Sequence, residues 1–295
     1  MRILATVLTT ILLSAALLEA HPGASIAVSR NGTIYIVDTG AGLFSIEPGG
    51  RTTRLEGPAF HWFAFDPDSR FVKTPWPSLP GAEFHSAGTH PTLVLSSDYP
   101  VTIGADGKFY FPDPTQGEQV RIVGIEPSGA RAVRATLPKI ERRGKPIRWI
   151  NGLAAAADGS LFYTEDRLIR KIDRSGNVST VVGIPSVPNC TKVPGIEEDG
   201  MEPYLRGLAI AADGTIYVAA SGCSALLKVD VNHRVTPILR SSPPWSPTAV
   251  AVSGRDVFVL EYLHTPGDNR REWIPRVRKI AASGAVTVIG TGTRQ

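Results

Sequence analysis

The composition of this 295-residue chain is that of a folded protein rich in turns. Charged residues make up 20% and hydrophobic residues 42% of it, and the formal net charge is +4. A disordered chain carries more charge and fewer apolar side chains. No run of Lys and Arg exceeds two residues, so nothing in the sequence indicates a nucleic-acid-binding surface. The 29 Gly and 24 Pro residues favour frequent turns over long helices.

The first twenty residues have the pattern of a secretory signal peptide. Arg2 gives a positive start, residues 3–18 are apolar apart from Thr and Ser, and Ala20 is a small residue at the expected cleavage point. The alternative is a membrane anchor, but this run is shorter than the roughly 20 residues that span a bilayer. We therefore predict a signal peptide over 1–20 and one domain over 21–295, secreted or periplasmic, monomeric and without a membrane span once mature.

One phrase recurs along the chain. Alternating small and apolar residues lead to a polar residue and Gly, and an apolar, aromatic strand follows. Four clear copies have the turn glycine at Gly32, Gly107, Gly159 and Gly214, and two weaker copies have Ser69 or a displaced Gly254. Asn-Gly and Asp-Gly close tight turns because they accept positive φ, so each phrase predicts a β-hairpin.

A second pair of strands follows most of these hairpins, as in segments 43–54, 168–182 and 277–289. Six units of four strands in about 275 residues give about 46 residues per unit, which is typical of β-propeller blades. Small residues in the first strand of each unit suit strands crowded around a central channel. We predict an all-β protein, a six-bladed β-propeller of four-stranded antiparallel blades.

Two units depart from the plain repeat. In the second unit, residues 74–92 separate the strand after Ser69 from the next apolar run, and a fourth strand is hard to find. In the sixth unit, residues 261–275 form a similar excursion. Long loops on a rigid scaffold are frequent sites of function, so we expect these two to border the functional face.

These phrases resemble known propeller families. The Asp-Gly hairpin followed by Ile-Arg-Lys-Ile-Asp at 169–173 is similar to NHL repeats. Asn-Gly-Leu at 151–153, leading into Asp-Gly at 158–159, resembles the senescence-marker-protein/gluconolactonase family of six-bladed propellers. The resemblance covers most of residues 22–290. It implies the fold but leaves the activity open, since such propellers serve as lactonases, lyases and binding modules.

One residue per unit is expected at the mouth of the channel. The chain changes face with each strand, so the approach to every first strand lies on one face, called the upper face below. The residues at this position are Ala24, His61, Tyr99, Asn151, Arg206 and Pro247. The gluconolactonase-like resemblance implies a divalent metal held there by carboxylate and amide groups. Only Asn151 matches, whereas Ala24 stands where a Glu, and Arg206 where an Asp, is expected. Because Ca²⁺ needs oxygen ligands and negative charge, Arg206 argues against a calcium site of this kind.

Four histidines offer a different metal site. His61, His85, His90 and His264 are all expected on the upper face. Neutral imidazoles bind Zn²⁺, and the peptidylglycine-amidating lyases, which are NHL-like propellers, are built around a zinc held by histidines. The alternative is that these are loop histidines, exposed or hydrogen-bonded, because they share no fixed spacing.

A site without metal is a further interpretation. Arg206 could clamp a carboxylate or phosphate, and His61 could act as general acid or base. The ligand-binding candidates around them are Tyr99, Asn151, Glu261 and His264. The alternative is a satisfied polar network that plugs the mouth.

Two further groups carry expectations. Cys190 and Cys223 allow one intramolecular pairing, and in an exported protein this pair predicts a structural disulfide on the upper face. Arg276, Arg278 and Lys279 form the densest basic patch, which a solvated outer face explains. Because side chains alternate along a strand, the two arginines should point one way and the lysine the other.

Two functions follow from the sequence. The first is a secreted hydrolase or lyase that acts on a small polar ligand, such as a lactone or a sugar acid, in the upper-face funnel. The second is a non-catalytic propeller that binds a peptide, glycan or protein through its long upper loops. The polar mouth favours the first, and the broken metal pattern at Ala24 and Arg206 favours the second.

Overall fold

A computed structural model of the chain describes residues 23–57, 60–71, 85–86, 92–97, 99–113, 119–138, 150–191, 203–264 and 274–291, with only the backbone described at 85–86, Thr92 and Thr291. The predicted signal peptide over 1–20 lies outside these residues. Antiparallel sheets account for most of the described chain. Within it, no helix is long and apolar enough to cross a membrane.

Five sheets have four strands each, in simple sequential order. One further sheet has three strands. All the sheets are numbered by the repeat units of the sequence, and the three-stranded one is sheet 2. Blade 1 consists of β1 (Ile26–Val28), β2 (Ile34–Asp38), β3 (Gly42–Ile46) and β4 (Thr52–Glu56). Sheet 2 consists of β5 (Trp62–Asp66), β6 (His85–Ser86) and β7 (Thr92–Ser96). Blade 3 consists of β8 (Thr102–Ile103), β9 (Phe109–Asp113), β10 (Arg121–Ile125) and β11 (Arg131–Thr136).

The remaining three blades have the longer innermost strands. Blade 4 consists of β12 (Ile150–Ala155), β13 (Leu161–Glu165), β14 (Leu168–Ile172) and β15 (Val178–Gly183). Blade 5 consists of β16 (Leu205–Ile210), β17 (Ile216–Ala220), β18 (Ala225–Val229) and β19 (Val235–Arg240), with a short 3-10 turn at Ser221–Cys223. Blade 6 consists of β20 (Trp245–Ser253), β21 (Asp256–Leu263), β22 (Ile274–Ile280) and β23 (Val286–Thr291).

The turn glycines of the repeat adopt the left-handed conformation that the sequence predicts. Gly159 has φ of 80° and Gly214 has φ of 83°. The N–H of Gly159 donates to the carbonyl of Ala156 at 3.0 Å, which closes the turn. Even Ser69, which replaces glycine in the second unit, has φ of 54°. The recurring phrase therefore encodes the lower-face hairpin turns correctly.

Sheet 2 differs from the prediction after its turn. β5 pairs with β7 rather than with the residues after Ser69, and the strand order is β5-β7-β6. The reason lies in Asp66, whose Oδ2 accepts the N–H of Phe71 at 2.9 Å. Phe71 is fully buried and its ring lies 6.0 Å from that of Phe109 in blade 3. The chain is thus drawn toward blade 3, and the open edge of β5 is left to β7.

The innermost strands of all six sheets surround one central channel of about 300 Å³. They are β1, β5, β8, β12, β16 and β20. The predicted all-β propeller with four-stranded antiparallel blades is confirmed, but the predicted number of six such blades is wrong. Five blades have four strands, and the sheet between blades 1 and 3 has three among the described residues.

The core is divided among the interfaces between neighbouring sheets. The described residues form six apolar clusters, one at each interface around the ring. Between blades 6 and 1 the ring is closed by packing, and Tyr262 of blade 6 donates its hydroxyl to the carbonyl of Val37 at 2.7 Å. Tyr262 is 1% exposed, so it belongs to this core.

The predicted disulfide between Cys190 and Cys223 is present. Their Cα atoms lie 4.6 Å apart, and the bridge spans 33 positions of sequence. Cys190 follows β15 and Cys223 lies between β17 and β18, so both are on the upper face. The bridge fastens the connection between blades 4 and 5 to blade 5.

Candidate functional site at the mouth of the channel

The residues predicted at the mouth lie at or just before the start of the innermost strands, on the upper face. Ala24, Asn151, Arg206 and Pro247 are buried, and His61 and Tyr99 are partly buried. The channel below them is lined mainly by small and apolar residues of the six innermost strands. A polar rim therefore caps an apolar shaft.

A β-bulge occurs at the same point of three neighbouring innermost strands. The pairing register shifts at Asn151 in β12, between Leu205 and Leu208 in β16, and at Thr248 in β20. A bulge turns the extra residue out of the ladder, and bulges are common beside functional sites. It follows that Thr248, not the predicted Pro247, is the blade 6 counterpart of Asn151 and Arg206. The displaced Gly254 shifted the sequence alignment by one residue.

The glycine after two of these bulges is required by close packing between blades. A Cβ atom on Gly152 would lie 2.7 Å from the carbonyl oxygen of Arg206. A Cβ atom on Gly207 would lie 2.9 Å from the Cα of Ala249 and 3.0 Å from the oxygen of Thr248. The recurring Asn-Gly-Leu and Arg-Gly-Leu sequences thus reflect inter-blade contact at the mouth.

Side-chain hydrogen bonds join neighbouring sheets just below the rim. Each of them joins a side chain of one blade or sheet to the backbone of a neighbouring one, and they are given donor first; together they are called the inter-blade belt below. Its members are Asn151 Nδ2 to Leu205 O (2.9 Å), Thr164 Oγ1 to Arg206 O (2.8 Å), Ser221 Oγ to Pro247 O (2.5 Å), Ser246 Oγ to Ser221 O (2.7 Å), Thr248 Oγ1 to Gly23 O (2.9 Å) and Phe63 N to Ser25 Oγ (3.0 Å). The belt satisfies buried backbone groups and fixes the rim residues in place.

The ring of His61 is held in one tautomer. Its Nδ1 lies 2.7 Å from the carbonyl oxygen of Ser97. A carbonyl can only accept, so Nδ1 carries the proton and Nε2 carries the lone pair of the neutral ring. An imidazole oriented in this way can serve as a general base or a metal ligand through Nε2.

Trp62 is a functional candidate that the sequence analysis missed. Its ring lies 5.3 Å from that of His61, and its indole N–H donates to the carbonyl of Asn151 at 3.4 Å. Trp62 therefore reaches from sheet 2 past the two-residue strand β8 to blade 4. A large residue at the start of this innermost strand, where blades 4 and 5 have glycine, is the signal that could have identified it.

Arg206 places a guanidinium group in the rim. The residue is 6% exposed, and its Cζ atom lies 5.9 Å from the centre of the Tyr204 ring. The Asn151 amide donates to Leu205, the residue before Arg206. A continuous series of contacts thus joins His61, Trp62, Asn151 and the backbone next to Arg206.

The other predicted ligand-binding residues take different positions. Tyr99 contacts sheet 2 through its backbone, since its N–H donates to Ser96 Oγ at 3.2 Å. His264 is fully buried after β21, and its N–H donates to Pro244 O at 2.9 Å. Glu261 is also fully buried and is bound by Arg276 and Arg278 of its own blade. Glu261 therefore has an ion-pairing role away from the channel.

The residues of the rim do not fit a calcium ion of the kind that the family resemblance implies. Ala24 offers no side-chain oxygen and Arg206 brings a positive charge, which leaves only the amide oxygen of Asn151 as a ligand among these three positions. In blade 1, the Oδ1 of Asp38 accepts the N–H groups of Gly40 and Ala41. Within the described ranges, no group of three His, Cys, Asp or Glu residues could hold a metal.

The histidine-held zinc stays a prediction. His90 lies outside the described residues, and for His85 only the backbone is described, as the first residue of β6. Of the two histidines in this set whose side chains are described, His61 has one nitrogen engaged by Ser97 and as a neutral ring could ligate through Nε2.

Comparisons with known proteins identify the fold. No protein-family model matches the sequence, and no curated protein matches it significantly. Among solved structures, the chain is similar to a catalytically inactive variant of virginiamycin B lyase from Staphylococcus aureus with quinupristin, at 17% identity over 92% of this chain and 85% of that one, with a TM-score of 0.52. It is similar to a streptogramin B lyase at 14% identity over 94% and 86%, with a TM-score of 0.51. A calcium-binding regucalcin from Agrobacterium tumefaciens matches at 14% identity over 83% of this chain and 69% of that one, with a TM-score of 0.40. At these identities, the first two comparisons establish the propeller fold alone.

Proposed function

We propose that the protein is an exported propeller hydrolase or lyase that acts on a small polar ligand, such as a lactone or a sugar acid, at the channel mouth. The observation that carries the proposal is the series of contacts from His61 through Trp62 and Asn151 to the strand that holds Arg206. Through these contacts the fold ties a base, an aromatic wall and a cation to one rim.

Each of these residues has a chemical role in the proposal. Arg206 binds the carboxylate of a sugar acid, or the carbonyl oxygen of a lactone as it gains negative charge, because a guanidinium matches an oxyanion in charge and geometry. In hydrolysis, His61 accepts a proton from water through Nε2 as the water oxygen bonds to the carbonyl carbon, and it returns the proton to the ester oxygen as the acyl C–O bond breaks. In elimination, it accepts a proton from the carbon next to the carboxylate and returns it to the oxygen that leaves the following carbon. Trp62 covers one side of the mouth and keeps bulk water from the reacting atoms.

Non-catalytic binding remains the second candidate, and one observation favours it. Two carboxylates that a metal-assisted reaction could use are already engaged, since Asp38 caps a turn and Glu261 binds two arginines. In this case the same rim would hold a peptide, glycan or protein with an acidic group on Arg206, and no turnover would follow.

The experiment combines a lactone and ester hydrolysis screen with binding measurements on the same ligands. His61→Gln is expected to lower kcat/KM by about 10²–10⁴, the range for loss of a general base. Arg206→Gln is expected to raise KM for anionic substrates more than for neutral ones. Binding without turnover that is lost in Arg206→Gln would support the second candidate.

Matched controls lie on the lower face. His233→Asn and Arg255→Gln change exposed turn residues of the same types and are expected to leave kinetics unchanged. Wild-type activity in both rim variants, or ligand binding unaffected by both, would remove the mouth as the site.

A further inference from the structure

A second cationic site lies in blade 6, outside the rim. Arg276 Nε donates to Glu261 Oε2 at 2.6 Å, and Arg278 Nη2 donates to Glu261 Oε1 and to Ser241 Oγ. Ser241 Oγ donates to the same carboxylate. The side chains of Arg276 and Arg278 are only 17% and 13% exposed, and that of Glu261 is fully buried. The expectation of a solvated basic face is therefore wrong for these two arginines, although they do share one side of the strand.

Comparison among blades shows that one of these arginines is surplus. In blade 4, Glu165 occupies the position of Glu261, Arg170 that of Arg278, and Leu168 that of Arg276. In blade 3, Asp113 and Arg121 pair in register as Glu261 and Arg276 do, but Val123 replaces the second arginine.

Among the described residues, both arginines of blade 6 surround a single carboxylate, so the described cluster has one net positive charge. An uncompensated charge that is largely removed from water is costly.

The surplus guanidinium is pre-oriented. The Cζ atom of Arg276 lies 3.8 Å from the centre of the Trp245 ring, and Glu261 holds its Nε. Among the described residues, none accepts a hydrogen bond from its two terminal amino groups. The Nε of Arg278 is likewise buried without an acceptor. The N–H donors of a planar guanidinium held in one orientation are the preferred partners of an oxyanion.

We propose that Arg276, supported by Trp245, Glu261 and Arg278, binds the oxyanion group of a ligand, a carboxylate or a phosphate, between blades 5 and 6. The bound group neutralises the surplus charge and uses the terminal amino groups of Arg276. The site is distinct from the rim position, because its two arginines come from β22, the third strand of the blade, and Trp245 precedes the rim residue of β20.

The test titrates sodium acetate and sodium phosphate, each against sodium chloride at constant ionic strength, and follows binding by calorimetry and the unfolding midpoint. The titration uses the Arg206→Gln protein as well as wild type, so that the rim cation does not contribute. In both proteins we expect oxyanion binding that is at least about tenfold weaker after Arg276→Gln, in line with the loss of charged hydrogen bonds. Stronger binding of acetate would indicate a carboxylate ligand, and stronger binding of phosphate would indicate a phosphate ligand.

Lys279→Gln is the matched control. Lys279 lies on the same strand but pairs with Asp256 at 2.6 Å on the opposite side, so its loss should leave oxyanion binding unchanged. Arg276→Lys is the second variant, for use if Arg276→Gln does not fold. It keeps a positive charge beside Glu261 but removes the planar guanidinium, so it should also bind oxyanions more weakly than wild type. The proposal would be overturned if folded Arg276 variants bound oxyanions as strongly as wild type does. It would also be overturned if acetate and phosphate bound to wild type no more strongly than chloride. Either result leaves the function proposed for the rim intact.

Discussion

The hydroxyl of Thr164 in blade 4 donates a hydrogen bond to the main-chain carbonyl of Arg206 in blade 5, at 2.8 Å. Both residues are buried, and the carbonyl belongs to the bulge that turns Arg206 out of its strand. The position of the rim cation is therefore set partly by the neighbouring blade.

Replacing Thr164 with Val should destabilise the protein more than its small change in volume implies. The substitution removes the donor and leaves a buried carbonyl unsatisfied, which costs about 1–3 kcal/mol. Denaturant unfolding of the variant measures this cost. Thr53→Val is the control, since Thr53 is an exposed strand residue and its replacement should change stability by less than about 0.5 kcal/mol. Equal effects of the two substitutions would contradict a structural role for the inter-blade bond.

Gly207→Ala should loosen the contact between blades 5 and 6. The added methyl group would lie 2.9 Å from the Cα of Ala249, and backbone cannot yield as a flexible side chain can. Overpacking of this kind costs about 1–3 kcal/mol, measurable as a lower unfolding midpoint. Gly49→Ala is the matched control because a Cβ there meets nothing within 4 Å. A Gly207 variant as stable as the Gly49 variant would show that the blades can separate without penalty.

The hairpin turns could be predicted from the sequence because they are local. Asp-Gly at 158–159 and at 213–214 specifies a left-handed residue whatever packs around it, and both turns are present. The pairing of β5 with β7 could not be predicted in this way. It depends on a tertiary contact, the burial of Phe71 against blade 3 with its N–H on Asp66.

The sequence predicts where residues of the candidate site lie, but not which groups their side chains bind. The repeat placed Asn151 and Arg206 at the mouth, where the structure has them. Repeat spacing does not reveal which neighbour a side chain bonds, so the sequence could not show that the Asn151 amide binds Leu205 or that Glu261 binds two arginines. Trp62 was missed because its contact crosses an entire blade.

Loss of the disulfide should lower stability without unfolding the propeller. A bridge across 33 positions lowers the entropy of the unfolded chain, which raises the free energy of unfolding by about 3–4 kcal/mol in the loop-entropy description. Unfolding in guanidinium chloride with and without reductant measures this contribution. The Cys190→Ser, Cys223→Ser double variant should match the reduced wild type and show no response to reductant. A reductant effect that persists in the double variant would assign the loss to another cause.

The turn carboxylate of Asp213 should make stability depend on pH in the acid range. The N–H of Thr215 donates to Asp213 Oδ1 at 2.9 Å, and this hydrogen bond holds the pKa of the carboxyl below its usual value. Because the folded state favours the ionised form, the contribution is present above the unfolded pKa near 3.9 and is lost as pH falls through the folded pKa. Asp213→Asn keeps an acceptor that does not titrate, so wild type should be the more stable at pH 6, and the difference should shrink toward pH 3. We expect less than about 1 kcal/mol, since the group is largely exposed to solvent. Urea unfolding of both proteins across this range measures the difference, and a constant gap between them would contradict the prediction.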